Sequence, residues 1–503
     1  MFSPQLKPAW LACLLLLIVP GMADSRATSL GKPNIVYILA DDLGYGDIAC
    51  LNLLRGKIPT PHIDRLAKEG ITFTDAHSGS SVCTPTRYGL LTGRYAWRTR
   101  LQKGVLDGGS EDPLIAADRL TLPAMLRPHG YTTACIGKWH LGFMPAASFE
   151  PLPKKKGMPY GFPLGTRIVG GPTSRGFDYF WGCSNARTMA SLIENDRVVE
   201  LLPPAEMLPR LTQRAVDYLG ERASDAKPGR PFFLYVALTS PHLPILPAAD
   251  WKGRSPLGIY GDFVMQTDDS VGQILASLDR HGLAENTLVV FASDNGCSVD
   301  AGVGSLEAQE HFPSAWFRGY KTDVWEGGHR VPFFARWPGH VTAGSASNAL
   351  ICLGDSMATI ARLLDVRLPA AAAPDSVSFH SSLLGDRGAI GRADIVHHSA
   401  LGIFAIRSGR WKLIMGGGSG GVSHPTDTEA RAQSWPDAQL YDLEADPGET
   451  RNLVQTHPTE AARLAALLAR YVARGRSTPG PEQANDVAVQ LPTLASVDPQ
   501  SKP

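Results

Sequence analysis

Four short apolar runs, each followed at once by polar residues, constrain the fold of this chain more than any other feature. Continuous apolar runs of this length are typical of strands that are buried on both faces of a parallel sheet. Because ligands of open α/β sheets bind outside the carboxyl ends of the strands, we expect the polar residues after the four runs to meet in one cleft. The runs are 34–40, followed by Asp41-Asp42; 131–136, followed by Gly-Lys-Trp-His; 231–238, followed by Thr-Ser-Pro-His; and 287–292, followed by Ser-Asp-Asn-Gly.

Helical segments lie between these runs, as a doubly wound sheet requires. Thr60-Pro61 has the pattern of a helix start and Gly70 that of a helix stop. A second helix is predicted from about Asp262 to His281, where apolar residues recur at helical spacing. The fold class predicted for residues 30–365 is therefore α/β, with a large, doubly wound, mostly parallel sheet.

The pattern changes after about residue 365, in a chain of 503 residues that is too long for one small core. Short apolar segments there predict an antiparallel sheet, and a longer segment predicts one helix. We expect a smaller C-terminal α+β subdomain over 366–476 and a flexible tail over 477–503. The predicted strands and helix are 403–406, 411–415, 440–443 and 458–473.

The first 23 residues have the pattern of a signal peptide. Lys7 precedes an apolar run, 9–19, and Gly21 and Ala23 are the small residues expected before a cleavage site. The run has eleven residues, fewer than the roughly 20 that a membrane-spanning helix needs. We therefore expect export to a periplasmic, secreted or lumenal location after cleavage near Ala23, without stable membrane insertion. A retained anchor is the alternative.

Composition limits the partners that the chain can have. It contains 48 Lys and Arg residues and 48 Asp and Glu residues, so it lacks the excess of basic charge that binds nucleic acid. With 44% hydrophobic and 19% charged residues, its composition is that of a folded protein. The cysteines outside the leader and position 83 show no zinc-ligand spacing and are interpreted as packing residues.

The segment 81–94, Ser-Val-Cys-Thr-Pro-Thr-Arg-Tyr-Gly-Leu-Leu-Thr-Gly-Arg, is the most specific one in the chain. Pro85 suits the first turn of a helix, which places Cys83 at the positive N-terminal end, where anions bind. Arg87 then lies one turn along on the same side and can contact an anionic substrate. A buried cysteine before an ordinary helix is the alternative for this segment taken by itself.

Further segments strengthen the first interpretation. CTPTR followed by LTGR, together with GYTTACIGKWH at 130–140, resembles the two signatures of the type I sulfatase family. The resemblance implies an alkaline phosphatase-like fold, hydrolysis of sulfate esters, and oxidation of Cys83 to Cα-formylglycine by a maturation enzyme. It runs in the correct order from residue 33 to about 455 and includes TPHIDRLAKEG, RGFDYFWG, FASDNG, RGYKTDVWEGGHRVP and LYDLEADPGE.

The resemblance also implies one divalent cation. Its ligands would be Asp41, Asp42, Asp294 and Asn295, completed by the formylglycine oxygen at Cys83. All are oxygen donors, which suits a hard cation, calcium in the first place and magnesium as the alternative. One such pair at a strand end is more typical of a turn or a helix cap, so it is the joint placement of the two pairs that favours an ion site.

Catalytic roles carry over to the matching positions in the same way. The implied sulfate-binding and proton-transfer residues are Lys138, His140, His242 and Lys321, beside Arg87. One hydroxyl of the hydrated aldehyde would attack sulfur while His242, helped by Lys321, protonates the leaving alcohol. His140 would then deprotonate the other hydroxyl of the sulfated hemiacetal and so expel sulfate. The implied substrates are sulfated carbohydrates or aryl sulfates.

Two alternative functions remain open at this point. A phosphonate monoester hydrolase or phosphodiesterase would share the Cys-x-Pro-x-Arg nucleophile, and a non-catalytic glycan-binding protein would keep the fold. His397-His398 is not interpreted as a metal pair, because adjacent side chains on a strand point to opposite faces. The substrate pocket is expected to come from loops 143–175 and 297–316 and from parts of the C-terminal subdomain.

Overall fold

The computed structural model of the chain describes most residues beyond the predicted leader. The predicted signal peptide, 1–23, lies outside the described residues except for Met1. None of the described helices is long and apolar enough to cross a membrane. The described residues are 1, 31–148, 161–186, 188–224, 230–386, 388–389 and 391–492.

Helices separate the long strands of the chain, as crossovers between parallel strands require. The strands are β1 (Asn34–Asp41), β2 (Ile71–Phe73), β3 (Ala76–His77), β4 (Thr132–Lys138), β5 (Met144–Pro145), β6 (Ile168–Val169), β7 (Tyr179–Cys183), β8 (Ser191–Glu194), β9 (Arg197–Leu201), β10 (Phe232–Pro241), β11 (Thr287–Ser293), β12 (Phe333–Arg336), β13 (Ser345–Ser347), β14 (Ile351–Cys352), β15 (Asp394–His398), β16 (Phe404–Ser408), β17 (Trp411–Ile414) and β18 (Gln439–Asp442). The helices are α1 (Pro61–Glu69), α2 (Cys83–Thr92), α3 (Leu122–Leu126), α4 (Pro204–Ser224), α5 (Gly258–Arg280), α6 (Val303–Ala308), α7 (Glu326–His329), α8 (Ser356–Leu363), α9 (His380–Leu383), α10 (Asp427–Ala432) and α11 (Pro458–Arg474).

A large mixed sheet forms the centre of the fold. The four predicted strands are its middle: β11, β1, β10 and β4 lie side by side in that order, each parallel to its neighbours. β7 extends the parallel part, while β12 on one side and β8 and β9 on the other pair antiparallel. Among the described residues the sheet has ten strands, in the order β13-β2-β12-β11-β1-β10-β4-β7-β8-β9. The predicted mostly parallel sheet is confirmed.

Both faces of this sheet are covered. Every residue of β1 and β10 is buried, as their unbroken apolar runs predicted. On one face, Val36 and Val236 belong to a hydrophobic core that includes Leu211 of α4 and Ile274 of α5. On the other face, Tyr37 of β1 borders a small cavity beside α8. The predicted helices at 61–70 and 262–281 are α1 and α5.

A four-stranded antiparallel sheet, β15-β16-β17-β18, follows the large sheet in the chain. Leu464 and Leu468 of α11 pack with Ile406 and Leu413 of this sheet. The predicted antiparallel sheet and the predicted helix at 458–473 are therefore confirmed, and β15, α9 and α10 are additional elements of this region. The sheet lies wholly beyond residue 366, but the described residues from Lys32 onward form one compact unit, so position 366 separates two sheets rather than two separate bodies.

The beginning of the predicted tail packs onto the protein. Arg98 Nη1 donates to Asn485 Oδ1 at 2.9 Å, and Arg94 Nη2 lies 2.9 Å from Asp486 Oδ1. Leu491 packs against the hydrophobic core of the C-terminal sheet. The expectation of a flexible tail from residue 477 is wrong for these residues, because their partners lie far away in sequence and leave no local pattern.

A glycine at the end of β4 provides the first test of this packing. Gly137 has φ +126°, and a Cβ there would collide with the Ala237 carbonyl of β10. We expect Gly137→Ala to lower the free energy of unfolding by roughly 3 kcal/mol, because the clash adds to the backbone strain. Urea unfolding measures the change. Gly304→Ala is the control, since nothing lies within 4 Å of its added methyl group, and an equal effect of both variants would contradict the prediction.

Candidate active site

Polar residues from four strand ends meet at one edge of the large sheet. Asp41 ends β1, Lys138 ends β4, His242 follows β10 and Asp294 follows β11. Lys138 Nζ donates to Asp41 Oδ2 at 2.7 Å, and the backbone N–H of Asp42 donates to Asp294 Oδ1 at 3.2 Å. The segments converge because their strands are neighbours in the sheet, as the sequence predicted.

Basic side chains offset the carboxylates of this cluster. Arg87 donates from Nη2 and Nε to Asp294 Oδ2, at 2.7 and 3.1 Å, and Nη2 lies 3.3 Å from Asp41 Oδ1. Lys321 Nζ donates to Asp42 Oδ2 at 2.7 Å. Together with the lysine at the end of β4, one arginine and two lysines face three aspartates. The formal charges of these six groups cancel.

Cys83 is the first residue of α2, and Arg87 lies one turn further along the same helix. The Cys83 side chain is buried, with the residue only 1% exposed. Thr86 Oγ1 donates to Ser80 O at 3.2 Å, and the backbone N–H of Thr322 donates to Ser81 O at 2.9 Å. These bonds fix the helix start, so Cys83 and Arg87 enter the charged cluster together, as the segment 81–94 predicted.

The oxygen atoms of the cluster suit a divalent cation. One ligand atom from each of Asp41, Asp42, Cys83 and His242 lies within 4.8 Å of the others. Among the described residues, the buried oxygens Asp41 Oδ1 and Asn295 Oδ1 accept no hydrogen bond, although Arg87 Nη2 lies 3.3 Å from the former. Burying such an oxygen is costly unless another partner binds it. Asn295 Nδ2 also donates to Asp42 Oδ1 at 2.8 Å. Carboxylate and amide oxygens are the ligands that calcium and magnesium prefer, so the donor set fits such an ion.

Each of the two predicted histidines is held by one backbone carbonyl. His140 Nε2 bonds to Leu106 O at 2.7 Å, and its Nδ1 has no hydrogen-bond partner in the described part of the chain. His242 Nδ1 bonds to Leu243 O, and its Nε2 lies 3.6 Å from Asp42 Oδ2. Since a carbonyl oxygen only accepts, each ring carries a proton on the bonded nitrogen. His140 Nδ1 and His242 Nε2 are therefore the basic atoms.

Burial and neighbouring charges set the protonation states. Burial lowers the pKa of His242 to about 4 and holds the pKa of His140 well below its usual value. Burial also raises the pKa of the Cys83 thiol to about 12. Burial by itself would raise the pKa of Asp41. The positive charges of Lys138 and the other nearby cations have the larger effect and hold the pKa of Asp41 well below its usual range. At neutral pH the site thus presents neutral imidazoles, a neutral thiol and an ionised carboxylate.

A cavity of about 690 Å³ opens onto these groups. Cys83, Lys138, His140, His242 and Lys321 all lie in its wall. The remaining wall comes partly from 298–300, Ala400 and Val422, in the loop 297–316 and the C-terminal part of the chain that the sequence indicated. The other predicted loop, 143–175, contributes nothing to the wall over its described residues 143–148 and 161–175. The wall also contains residues that the sequence did not indicate: Gly104, Val105, Asn185, Ala186, Leu243, Pro244 and Thr322.

The loop that carries Lys321 is fixed by a buried ion-pair cluster that sequence reasoning missed. Lys412 Nζ of the C-terminal sheet lies 3.0 Å from Glu326 Oε1 and 2.8 Å from Glu449 Oε1. The backbone N–H of Glu326 donates to Glu449 Oε2 at 2.6 Å. The segments WEGGHRVP and LYDLEADPGE therefore meet around one lysine. Both motifs can be recognised in the sequence, but the sequence does not show that they share Lys412 as a partner.

His397 belongs to the same buried region. Its ring stacks on that of His329 with centroids 3.7 Å apart, and the Nδ1 atoms of His329 and His77 are 3.1 Å apart. His398 is not part of this group of three histidines. The two adjacent histidines thus do not form a metal pair with each other, in agreement with the expectation from strand geometry.

The comparisons with known proteins decide the family. The sequence profile described as Sulfatase matches residues 33–366. The chain belongs to the sulfatase family. N-acetylgalactosamine-6-O-sulfatase of Bacteroides thetaiotaomicron is 34% identical over 493 residues, which cover 87% of this sulfatase and 92% of that protein. Arylsulfatase A of Homo sapiens is 34% identical over 458 residues, which cover 88% of this sulfatase and 86% of that protein.

Solved structures agree with this assignment. One, from work on the metabolism of multiple glycosaminoglycans by Bacteroides thetaiotaomicron, has a TM-score of 0.77 and 31% identity, covering 87% of this chain and 99% of that chain. A sulfatase of Pseudoalteromonas sp. has a TM-score of 0.70 and 26% identity, covering 89% and 91%. This sulfatase is therefore a sulfuric ester hydrolase with the fold of the alkaline phosphatase superfamily. The named relatives do not support the phosphonate ester or glycan-binding alternatives.

The two hydrogen bonds from the Arg87 guanidinium to Asp294 provide a test of the charged cluster. We expect Arg87→Lys to lower kcat/KM for an aryl sulfate by about 100-fold, because a single ammonium group cannot hold Asp294 and the Lys138 carbonyl at once and the site shifts. Arg210→Lys is the matched control, since Arg210 makes a two-pronged contact with Glu200 at the surface. Wild-type turnover by the Arg87 variant would contradict the prediction.

Proposed function

We propose that this sulfatase cleaves sulfate esters of carbohydrates with a Cα-formylglycine at position 83 and one bound calcium ion, magnesium being the alternative. The observation that carries the proposal is the position of Cys83. It lies at the start of α2, in the wall of the 690 Å³ cavity, with its sulfur beside the oxygen atoms of Asp41 and Asp42.

A thiol is chemically out of place in this position. Sulfur is a soft ligand, whereas its neighbours are the hard oxygen donors that calcium and magnesium take. An oxygen function at residue 83 would make the donor set uniform, and the hydrated aldehyde would supply the nucleophilic oxygen. Because Cys83 is 1% exposed, a maturation enzyme would reach it before this segment folds. Export after the leader 1–23 is part of the same proposal.

The cation would be held by Asp41, Asp42, Asp294 and Asn295. Its chemistry would be to offset the negative charge of the sulfate and of the attacking oxygen. Asn295 Oδ1, which accepts no hydrogen bond from the described residues, supports this assignment most directly, together with Asp41 Oδ1, which accepts none and has Arg87 Nη2 at 3.3 Å. The charges of the three aspartates, two lysines and one arginine already cancel, so a divalent ion would make the site positive and favourable for an anionic ester.

The remaining side chains of the cavity would bind the sulfate and move protons. Lys138 and Lys321 are ammonium groups in the cavity wall and would contact the sulfate oxygens. His242 would protonate the leaving alcohol from Nε2; because this atom carries no proton in the neutral ring, it would first take a proton from the Lys321 ammonium group and pass it on. His140, with an unpartnered Nδ1, would accept the proton of the second hydroxyl at residue 83. Arg87 would position Asp294.

A sulfated sugar is the substrate class that the cavity and the relatives favour. A volume of about 690 Å³ is within the range of sites that enclose a small saccharide. N-acetylgalactosamine-6-O-sulfatase is among the similar proteins, so N-acetylgalactosamine 6-sulfate is the first ester to test. A small aryl sulfate, which contains no sugar, reports the activity of the catalytic groups independently of sugar recognition.

The nucleophile is tested by replacing Cys83. We expect Cys83→Ser to lose multiple turnover, because a serine lacks the second hydroxyl whose deprotonation expels sulfate. In the wild-type protein from a maturation-competent host, the peptide containing residue 83 should be about 18 Da lighter than the cysteine form. Cys50→Ser, at a free and partly exposed cysteine, is the control. Sustained turnover by Cys83→Ser would refute the mechanism.

Removal of the cation provides a separate test. We expect a chelator to abolish aryl sulfate hydrolysis and lower the Tm, since an ion at 100 times its Kd stabilises the folded state by about 2.7 kcal/mol. Adding calcium or magnesium back should restore both, and the more effective ion identifies the native one. Asp41→Asn should show a Tm that no longer responds to calcium. Unchanged activity and Tm after chelation would disprove the metal assignment.

A further inference from the structure

A second cavity, of about 330 Å³, lies on the C-terminal part of the chain. It shares no wall residue with the active-site cavity. Its wall includes Arg318, Trp435, Tyr441 and Gln455. We call it the Trp435 cleft. Its wall thus combines an arginine, two aromatic rings and an amide. Such groups around a concave space can fix the orientation of a small polar ligand.

Arg318 is a fixed cation without a counter-charge. Its guanidinium stacks on the ring of Trp325 at 3.6 Å, and Nη1 donates to Glu449 O at 2.8 Å and Tyr441 Oη at 3.3 Å. No carboxylate of the described residues pairs with it, and its Nε and Nη2 atoms make no hydrogen bond to them. The side chain is thus held in place while two of its donor atoms stay available to an anion.

The remaining wall residues of the Trp435 cleft offer a surface against which the ring of a ligand can pack. Trp435 is 43% exposed and lies in the wall of the cleft, so part of its ring is open to a ligand. The Gln455 amide makes no hydrogen bond to the described residues. Asp446, which accepts hydrogen bonds from the hydroxyl and backbone N–H of Thr450 and from the backbone N–H of Arg451, is not among the wall residues of the cleft.

We propose that the Trp435 cleft binds a sulfated sugar residue of a glycan, distinct from the residue that is hydrolysed. The proposal rests on the proposed function in taking a sulfated glycan as the substrate. The sulfate would bind Arg318, and the sugar ring would lie against Trp435. Arg318 is three positions before Lys321, so the two Cα atoms are at most about 11 Å apart. A glycan held there stays at high local concentration near the nucleophile.

Affinity electrophoresis in gels that contain a sulfated galactosaminoglycan tests the cleft independently of turnover. The Cys83→Ala variant is used as background so that the glycan is not cleaved. We expect Trp435→Ala to raise the dissociation constant by about tenfold, the size of one lost stacking contact. Arg318→Gln should weaken retention to a similar degree, and Arg318→Lys should restore part of it. Trp316→Ala is the matched control, because Trp316 is 53% exposed and lies outside the cleft wall.

The outcomes separate the cleft from the active site. The proposal is supported if Trp435→Ala loses retention while Trp316→Ala does not. It also requires weaker retention of the parent protein in a gel whose glycan has been chemically desulfated. Equal retention of Trp435→Ala and its parent would overturn it, and so would equal retention in sulfated and desulfated gels. Hydrolysis of an aryl sulfate and of N-acetylgalactosamine 6-sulfate by proteins with Cys83 intact reports separately on the proposed function, so a failure of either proposal is recognised by itself.

Discussion

Parallel pairing of β1 with β10 and β11 is the constraint on which the rest of the structure depends. It places the carboxyl ends of neighbouring strands a few ångströms apart, so that residues separated by 252 positions, such as Asp42 and Asp294, bond directly. The strands need apolar side chains on both faces to stay buried. The polar residues are therefore confined to the strand ends, and the site follows from the way the sheet is buried.

The buried charges of the site show why it is assembled from so many segments. An uncompensated buried ion costs several kcal/mol, so each aspartate needs a partner close by. Lys138 pairs with Asp41, Lys321 with Asp42 and Arg87 with Asp294. These partners come from a strand, a loop and a helix. Within the described residues the pairing leaves Asp41 Oδ1 and Asn295 Oδ1 without a hydrogen bond, and these are atoms that a cation can use.

The C-terminal sheet takes part in the same arrangement. Lys412 of β17 holds Glu326 and Glu449 together and thereby fixes the loop that carries Lys321. Arg318 lies at the other end of that loop and is anchored on Glu449. One loop thus carries both Lys321 of the active site and Arg318 of the Trp435 cleft.

The sequence by itself determined the four central strands, the start of α2 at Cys83 and the set of residues that meets at the strand ends. These depend on local apolar runs, on a proline in the first helical turn and on short motifs. Only the tertiary structure decided the cavity wall at Gly104 and Asn185, the anchoring of Asn485 on Arg98, and the sharing of Lys412 by Glu326 and Glu449. Each of these is a contact between residues far apart in the chain, and such contacts leave no periodic or local pattern in the sequence from which they could be predicted.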